Sequence, residues 1–518
     1  MFLFDYVIYP GLKVATIYFI YKLISIVIKR IKFARHYINF PYEPSHWILG
    51  DLIKVAPNFP FTDREVIADA VRKYVNRNHL QTNHRHDLSV IWMSWFPIIV
   101  ASSHRSLEAI YQLETRKHHI YRFLGLREGL ITSNGAKWKG RRKAIEPMLT
   151  TKQLTQFVPV IRSIVDTTVD SLCSVTGQPI VLSSYIHSLT MDAIFETGFK
   201  ISADDFKEEK KIMADAIGLF EDALMVRIIN PFYWSDWMFS KFQMGKQLDE
   251  LSKQGDDYFN YFLDKRLGIK TTKKYSRVKM NNNLEKDNDE IFIDHPYRDM
   301  IDLMLKNKDS IDREGMVEEI LTMIAAGHET IANAVSWLVF TLGNHPEIQD
   351  RIVEEIDRVI QSPEDIDDLG KIGQLVYMEQ CIKESLRLFP PLPVVLRYLE
   401  NDIQIGSRTL LKDSVVVMFI LAAHHDPSVF PQPTKYDPER FAPHVVDSIP
   451  KYSFLPFGLG PRMCIGYRYA YIEMKIFLTQ FLRRYRVKSM KSLEEVSFYI
   501  ELISRPTCPL EVVLSPRD

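Results

Sequence analysis

Apolar positions along the chain fall into distinct regimes. From residue 102 to about 267 they recur mostly at three- and four-residue spacing, which predicts a succession of amphipathic helices. Two long helical patterns follow, over 312–344 and 375–388; Pro346 opens a further helix after the first, and Pro390-Pro391 stops the second. Residues 88–100 (LSVIWMSWFPIIV) are rich in β-branched and aromatic side chains and predict strand, and 392–420 predict short strands. A last helix is expected over about 465–485, with short strands to the end. Between 426 and 463 the pattern is weak and Pro and Gly are frequent; a loop that long inside a compact domain is usually functional. Residues 269–289 are polar, with Asn281, Asn282 and Asn283 in a row, and read as a solvated or disordered excursion. No internal repeat is found from Phe61 onward. The expected class is mainly α with minor β, one large unit over 41–518 preceded by a separate segment over 1–40.

That first segment has its own pattern. Residues 6–28 are mostly apolar, near the roughly 20 residues that a spanning helix needs, although Pro10, Gly11, Lys13 and Lys22 interrupt them. Lys29, Arg30, Lys32 and Arg35 follow, and bases just after an apolar segment favour the cytosolic side for what comes next. No small-residue cleavage site follows, and no Arg precedes Arg30, which argues against a removed secretory signal and a mitochondrial presequence. The expectation is a single N-terminal membrane anchor helix; the alternative is a buried amphipathic helix. Pro41-Tyr42-Glu43-Pro44 then reads as a stiff linker.

Composition adds exclusions. The 518 residues suffice for a large core, and 46% apolar with 25% charged is ordinary for a folded protein. The 65 basic residues balance 65 acidic ones, so nothing points to nucleic acid as a partner. Four cysteines, Cys173, Cys381, Cys464 and Cys508, contain no C-x-x-C pair, which excludes a zinc-ribbon or thioredoxin-like reading and fits a reducing compartment. Cys173, Cys381 and Cys508 read as small buried hydrophobes.

Cys464 stands apart because of its surroundings, Phe457-Gly458-Leu459-Gly460-Pro461-Arg462-Met463-Cys464-Ile465-Gly466. Gly458 and Gly460 permit close backbone approach to a large flat cofactor. A cysteine at the start of a helical pattern is expected to have a lowered thiol pKa. Arg462 can hold a cofactor carboxylate, and Phe457 can wall the sulfur off from water. Every fixed position of F-x-x-G-x-R-x-C-x-G, the heme-binding signature of the cytochrome P-450 superfamily, is present, and the chain resembles that superfamily over essentially its whole length. The resemblance implies the P-450 fold and heme b, held non-covalently apart from a Cys464 thiolate–iron bond. It also implies cofactor contacts from Phe457, Arg462 and Gly466.

Other positions match residue by residue. Glu384 and Arg387 resemble the superfamily's Glu-x-x-Arg pair, which a later Arg, here Arg440 in Pro438-Glu439-Arg440-Phe441, joins in a buried ion triad bracing the cysteine loop. Glu355 and Arg358 repeat the spacing and read as a solvated pair. In Ala326-Gly327-His328-Glu329-Thr330 a mid-helix glycine is costly, so Gly327 is expected to clear space for a cofactor face. The Thr330 hydroxyl can reach the Ala326 carbonyl and loosen the helix. Glu329 and Thr330 resemble the acid–alcohol pair that relays protons for dioxygen cleavage and are the expected catalytic residues. Trp138 and Arg142, as W-x-x-x-R, and Arg397 resemble contacts to the heme propionates. Lys137, Lys139, Arg141 and Lys143 read either as a docking face for an acidic reductase or as a solvated helix face.

Pro44-Ser45-His46-Trp47, Asn230-Pro231, residues 327–330 and residues 464–475 look like the microsomal fatty-acid ω-hydroxylase family. That family more often has Asp where Glu329 stands and Thr where Ile331 stands. Ala326 occupies the position at which some members carry a Glu esterified to heme, so no covalent link is expected there, and strict terminal-carbon selectivity is not implied. Phe232, Tyr233, Trp234, Trp237, Met238 and Phe239 border the substrate entrance in that family; dipping into a membrane interface and ordinary core packing both remain open. The resemblance implies a monooxygenase that inserts one atom of O2 into a C–H bond of a lipophilic substrate, a fatty acid or related lipid first. Electrons would come from NADPH through a separate cytochrome reductase, with cytochrome b5 as an accessory donor, at the endoplasmic reticulum membrane and facing the cytosol. The thiolate would promote O–O cleavage. A sterol or xenobiotic hydroxylase, a heme isomerase acting on a peroxide and a non-catalytic heme or lipid binder are the other readings; the intact acid–alcohol pair disfavours the isomerase.

Overall fold

The computed structural model describes residues 9–41, 51, 54, 69–73, 87–93, 96–113, 116–202, 207–267, 299–307 and 311–517. The polar excursion at 269–289 and Pro44–Trp47 lie outside the described residues. The longer helices are α1 (Tyr9–Tyr37), α2 (His104–Leu113), α3 (Gly135–Ile145), α4 (Thr151–Ser171), α5 (Ser183–Phe199), α6 (Lys207–Ile229), α7 (Gln243–Arg266), α8 (Arg313–Leu342), α9 (Pro346–Val359), α10 (Val376–Leu388) and α11 (Tyr467–Arg484).

The core is built around α8. Asp312 caps its N-terminus, accepting the Gly315 N–H at 2.8 Å. From Ile331 to Leu342 nearly every residue is buried, and a helix apolar on all sides belongs inside a molecule. Trp337 and Phe340 of α8 share one cluster with Phe157 of α4, Phe195 and Phe199 of α5, and Phe477 of α11. The cysteine loop and α11 therefore sit on rigid packing rather than on a free loop.

The β structure is peripheral. One sheet runs in the order β1 (Leu88–Met93), β2 (Phe96–Ala101), β7 (Val415–Phe419), β4 (Val394–Tyr398); β2 and β7 are parallel and the other pairs antiparallel. β5 (Ile403–Ile405) and β6 (Arg408–Leu410) form a hairpin between β4 and β7. A second sheet joins β3 (Pro179–Val181) and β8 (Tyr485–Ser489) to opposite edges of β11 (Glu511–Pro516), and β9 (Phe498–Tyr499) pairs with β10 (Arg505–Pro506).

α1 has two halves of opposite character. Its last turns carry Phe33 and Tyr37, which with Phe40 pack among Val90, Trp92, Leu107 and Val416. Tyr37 Oη lies 2.8 Å from Ser414 Oγ, and His36 Nε2 lies 2.6 Å from the Thr409 carbonyl. Upstream, Ile17, Tyr18, Phe19, Ile20, Tyr21, Leu23 and Ile24 are exposed. The helix runs on through the basic cluster, past the expected end at residue 28. Among the described residues no helix is long and apolar enough to cross a membrane.

Candidate active site

Cys464 lies between the short turn Gly460–Arg462 and α11. Gly458 and Gly460 have φ of 68° and 72°, the left-handed region that favours glycine. They fold the loop back so that the Cys464 N–H donates to the Phe457 carbonyl at 2.9 Å. The loop leans on Tyr111 of α2: a Cβ added at Gly460 would stand 3.1 Å from the Tyr111 carbonyl oxygen. The Cys464 side chain is exposed, although the loop and its neighbours crowd around the sulfur. Burial pushes its pKa up; the Gly466 N–H and Arg142 pull down without reversing this. The lowered thiol pKa expected from helix placement is thus not a property of the chain alone. α11 begins only at Tyr467, and burial outweighs what its N-terminus supplies. A coordinating metal ion deprotonates such a thiol outright.

Cations converge beside this loop. Arg142 of α3 donates to the Met463 carbonyl at 2.9 Å. The Arg462 guanidinium lies 4.0 Å over the Trp138 ring and donates to the Ser133 carbonyl at 2.8 Å and Asn134 Oδ1 at 3.0 Å. Arg397 of β4 is buried, and its Nε has no hydrogen-bond partner. Burial pushes the Lys117 ammonium well down, and Arg397 and Arg462 add to the effect. Arg462 is pushed down to about 10 by burial, then by Arg397 and Arg142. After burial, what perturbs these groups is mostly one another. Half-buried like charges beside a buried guanidinium with an orphaned donor favour an anion. A flat macrocycle with carboxylate substituents and a metal facing Cys464 supplies one, so the donor set fits heme.

On α8, the Thr330 hydroxyl donates to the Ala326 carbonyl at 2.7 Å. Glu329 Oε2 lies 3.4 Å from His187 Nδ1 on α5 and 3.7 Å from His328 Nδ1. Burial raises the Glu329 carboxyl pKa, and Arg505 opposes this. A Cβ added at Gly327 would meet Ile194 Cδ1 of α5 at 3.0 Å, so the glycine serves close packing of α5 against α8.

The family model for Cytochrome P450 matches residues 58–513. The chain is a cytochrome P450. Its relatives include Cytochrome P450 4d2 of Drosophila melanogaster, 30% identical over 445 residues that cover 82% of this chain and 84% of that protein. Cytochrome P450 4V2 of Homo sapiens is 28% identical over 83% of this chain and 82% of its own. Cytochrome P450 4c21 of Blattella germanica is 28% identical over 75% and 77%. The similarity is thus to family 4 of the P450s, consistent with the ω-hydroxylase-like resemblance.

Behind the P450 cysteine loop, Glu384 and Arg387 are both fully buried on α10. Arg387 Nε and Nη2 donate to the two Glu384 carboxylate oxygens at 2.7 and 2.8 Å. Arg440 Nε lies 3.3 Å from Glu384 Oε1, which also accepts the Asp437 N–H at 2.9 Å. Arg387 Nη1 reaches the carbonyls of His424 and Pro433 at 2.9 and 2.7 Å. The triad therefore ties α10 to the irregular segment ahead of Cys464. Glu355, expected in a solvated pair, instead caps α10: it is buried and accepts the Tyr377 and Met378 N–H groups at 2.8 and 2.9 Å, while Arg358 stays 4.0 Å away.

Arg141 also departs from expectation. It is buried, not part of a basic face, and bonds both Glu318 and Glu319 of α8, the latter at 2.9 Å. Lys137 pairs with Glu128, whereas Lys139 and Lys143 are exposed. The aromatic run divides: Trp237 is exposed, Phe239 is buried, and Trp234 donates to the Arg227 carbonyl at 2.7 Å. Two residues of the site carry no sequence signal. Lys117 sits in no motif, and His424 is recognisable only once the fold brings Leu455 to it: the Leu455 N–H donates to His424 Nε2 at 2.8 Å, and Nδ1 faces the Arg387 carbonyl at 3.2 Å.

Proposed function

We propose that this P450 hydroxylates a fatty acid or similar lipid at a membrane, taking electrons from NADPH through a separate reductase. The observation that carries the catalytic reading is the clustering of Arg142, Arg397, Arg462 and Lys117 at the cysteine loop, with Arg142 acting on Cys464 itself. In this reading Cys464 ligates iron, and Arg142, Arg397, Arg462 and Trp138 hold the propionate edge. Phe457 and Gly466 line the sulfur side. When bound, heme supplies the activation of dioxygen. The chain's own work is to exclude water, hold the sulfur and deliver protons. Thr330, hydrogen-bonded across its own helix turn, offers a hydroxyl. Glu329, with its carboxyl pKa raised by burial, holds a proton that it can pass on. The Glu384–Arg387–Arg440 triad and His424 keep the cysteine loop in register from behind.

The exposed apolar residues of α1 and the exposed Trp237, with Lys241 Nζ 5.5 Å from its ring, support attachment to the endoplasmic reticulum membrane, where lipophilic substrates partition. Lys139 and Lys143, exposed on α3 beside the cysteine loop, support docking of an acidic reductase or of cytochrome b5 there. The test is a reduced-carbon-monoxide difference spectrum, followed by NADPH-dependent turnover of fatty acids and sterols with reductase. A thiolate-type Soret band that vanishes in Cys464→Ala, and a hydroxylated fatty acid, are expected. A band that survives Cys464→Ala ends the thiolate assignment, and turnover of sterols alone ends the lipid-chain assignment.

A further inference from the structure

We propose that His187, His328 and Glu329 form a binding site for a zinc-class divalent ion, and that its occupation arrests the proton delivery assigned to Glu329. One donor atom from each residue lies within 4.8 Å of the others, on two helices, α5 and α8, that pack directly together. His187 Nδ1 is 3.3 Å from His328 Nε2 and 3.4 Å from Glu329 Oε2. Zinc bonds of roughly 2.0–2.1 Å to nitrogen or oxygen set neighbouring donors of a tetrahedron about 3.3 Å apart. Two edges of the site already have that length. The third, between the His328 donor and Glu329, lies within 4.8 Å and closes by turning the carboxylate.

Protonation and charge both suit a cation. Burial pushes His187 down to about 4 and His328 to about 3, so both imidazoles are neutral at pH 7, with a lone pair to give. His328 Nδ1 is buried and has no hydrogen-bond partner. Around the site, Arg505 bonds Glu221, lies 3.9 Å from Glu501 and faces Glu329. Burial, with Glu329 as neighbour, pushes Glu221 up to about 7. A dication suits a cluster rich in carboxylates. The imidazole–imidazole–carboxylate set is a zinc-type one, and three protein ligands leave a fourth position for water. His187 is one-third exposed, which opens an entry path.

Equilibrium dialysis of the heme-loaded protein against Zn2+, with metal analysis, tests the site without reference to catalysis. One bound equivalent is expected, weakened roughly tenfold or more in His187→Phe and in Glu329→Gln, and kept in Cys173→Ser, which removes an exposed thiol. No bound equivalent, or binding indifferent to His187→Phe, overturns the site. If the variants fail to show the reduced-carbon-monoxide band, X-ray absorption at the zinc edge of wild type decides: a nitrogen and oxygen shell is expected, and sulfur in the shell overturns it. The arrest rests on the monooxygenase reading. Zinc should lower NADPH-driven product several-fold in wild type, leave turnover driven by a single-oxygen donor such as iodosylbenzene unchanged, and have no effect on His187→Phe relative to its own rate. Zinc binding without that pattern overturns the arrest alone.

Discussion

His424 belongs to no motif, yet both its nitrogens are committed, Nε2 as acceptor from Leu455 and Nδ1 toward Arg387. Burial, with the charges of His425 and Arg387, depresses its pKa to about 3. In the unfolded chain it protonates near pH 6.5, so the contribution of the neutral form is full above that value and declines as pH falls toward 3. Other buried groups also titrate, so the clean quantity is a difference. The stability gap between wild type and His424→Gln, read from urea unfolding, should shrink by about 2 kcal/mol between pH 7 and pH 5. A gap independent of pH contradicts the assignment. Cys464 and its neighbours were legible because the signature is local, a few residues with fixed spacing. His424 and Lys117 were not, because their partners at Leu455, Arg397 and Arg462 are far off in sequence, and no spacing rule links them. Arg141 is hidden for the same reason: its helix is strongly basic, and only the approach of α8 reveals Glu318 and Glu319.

Single helices were the most legible scale. The expected helices at 312–344, 375–388 and 465–485 appear as α8, α10 and α11 within a few residues, because apolar periodicity and proline stops act locally. What periodicity cannot convey is how closely two helices approach. Gly327 lets α5 and α8 touch, and there Ile194 Cδ1 would stand 3.0 Å from an added Cβ. Gly327→Ala should be near neutral, since the flexible Ile194 end can give way and helix propensity improves by about 1 kcal/mol. Gly327→Val should cost about 1–3 kcal/mol through overpacking, seen in thermal unfolding, and an equal cost for both would contradict the packing role. α10 makes a different demand. Glu384→Ala leaves Arg387 buried and unpaired and should cost about 3–5 kcal/mol, with loss of heme on gel filtration if the triad does brace the cysteine loop. The carboxylate of Glu384 also bonds the Asp437 N–H, so Glu384→Gln should recover only part of the loss.

At the scale of the whole molecule the chain closes on itself. β3 pairs with β11 near the C-terminus, and the end of α1 packs against β1 and β7. Neither junction was legible, although Phe33, Tyr37 and Phe40 follow a helical stripe that the surrounding bases obscure. Two truncations separate the halves of α1. Removal of residues 1–28 should release the protein from vesicles into the supernatant while the reduced-carbon-monoxide spectrum stays intact. Removal of residues 1–40 strips three buried aromatics from the core and should destabilise the fold by more than about 3 kcal/mol. Identical spectra and unfolding midpoints for the two forms would show that the last turns of α1 are dispensable.

Those last turns carry a mechanical consequence. A catalytic body hung on a slack tether could swivel beneath its bilayer and present any side to it. Here Tyr37, His36 and Phe40 clamp the helix into the sheet and the hairpin, so the upstream stem leaves at a set angle. Under the proposed attachment of that stem to lipid, the bearing of the folded body toward the bilayer follows from rigid geometry.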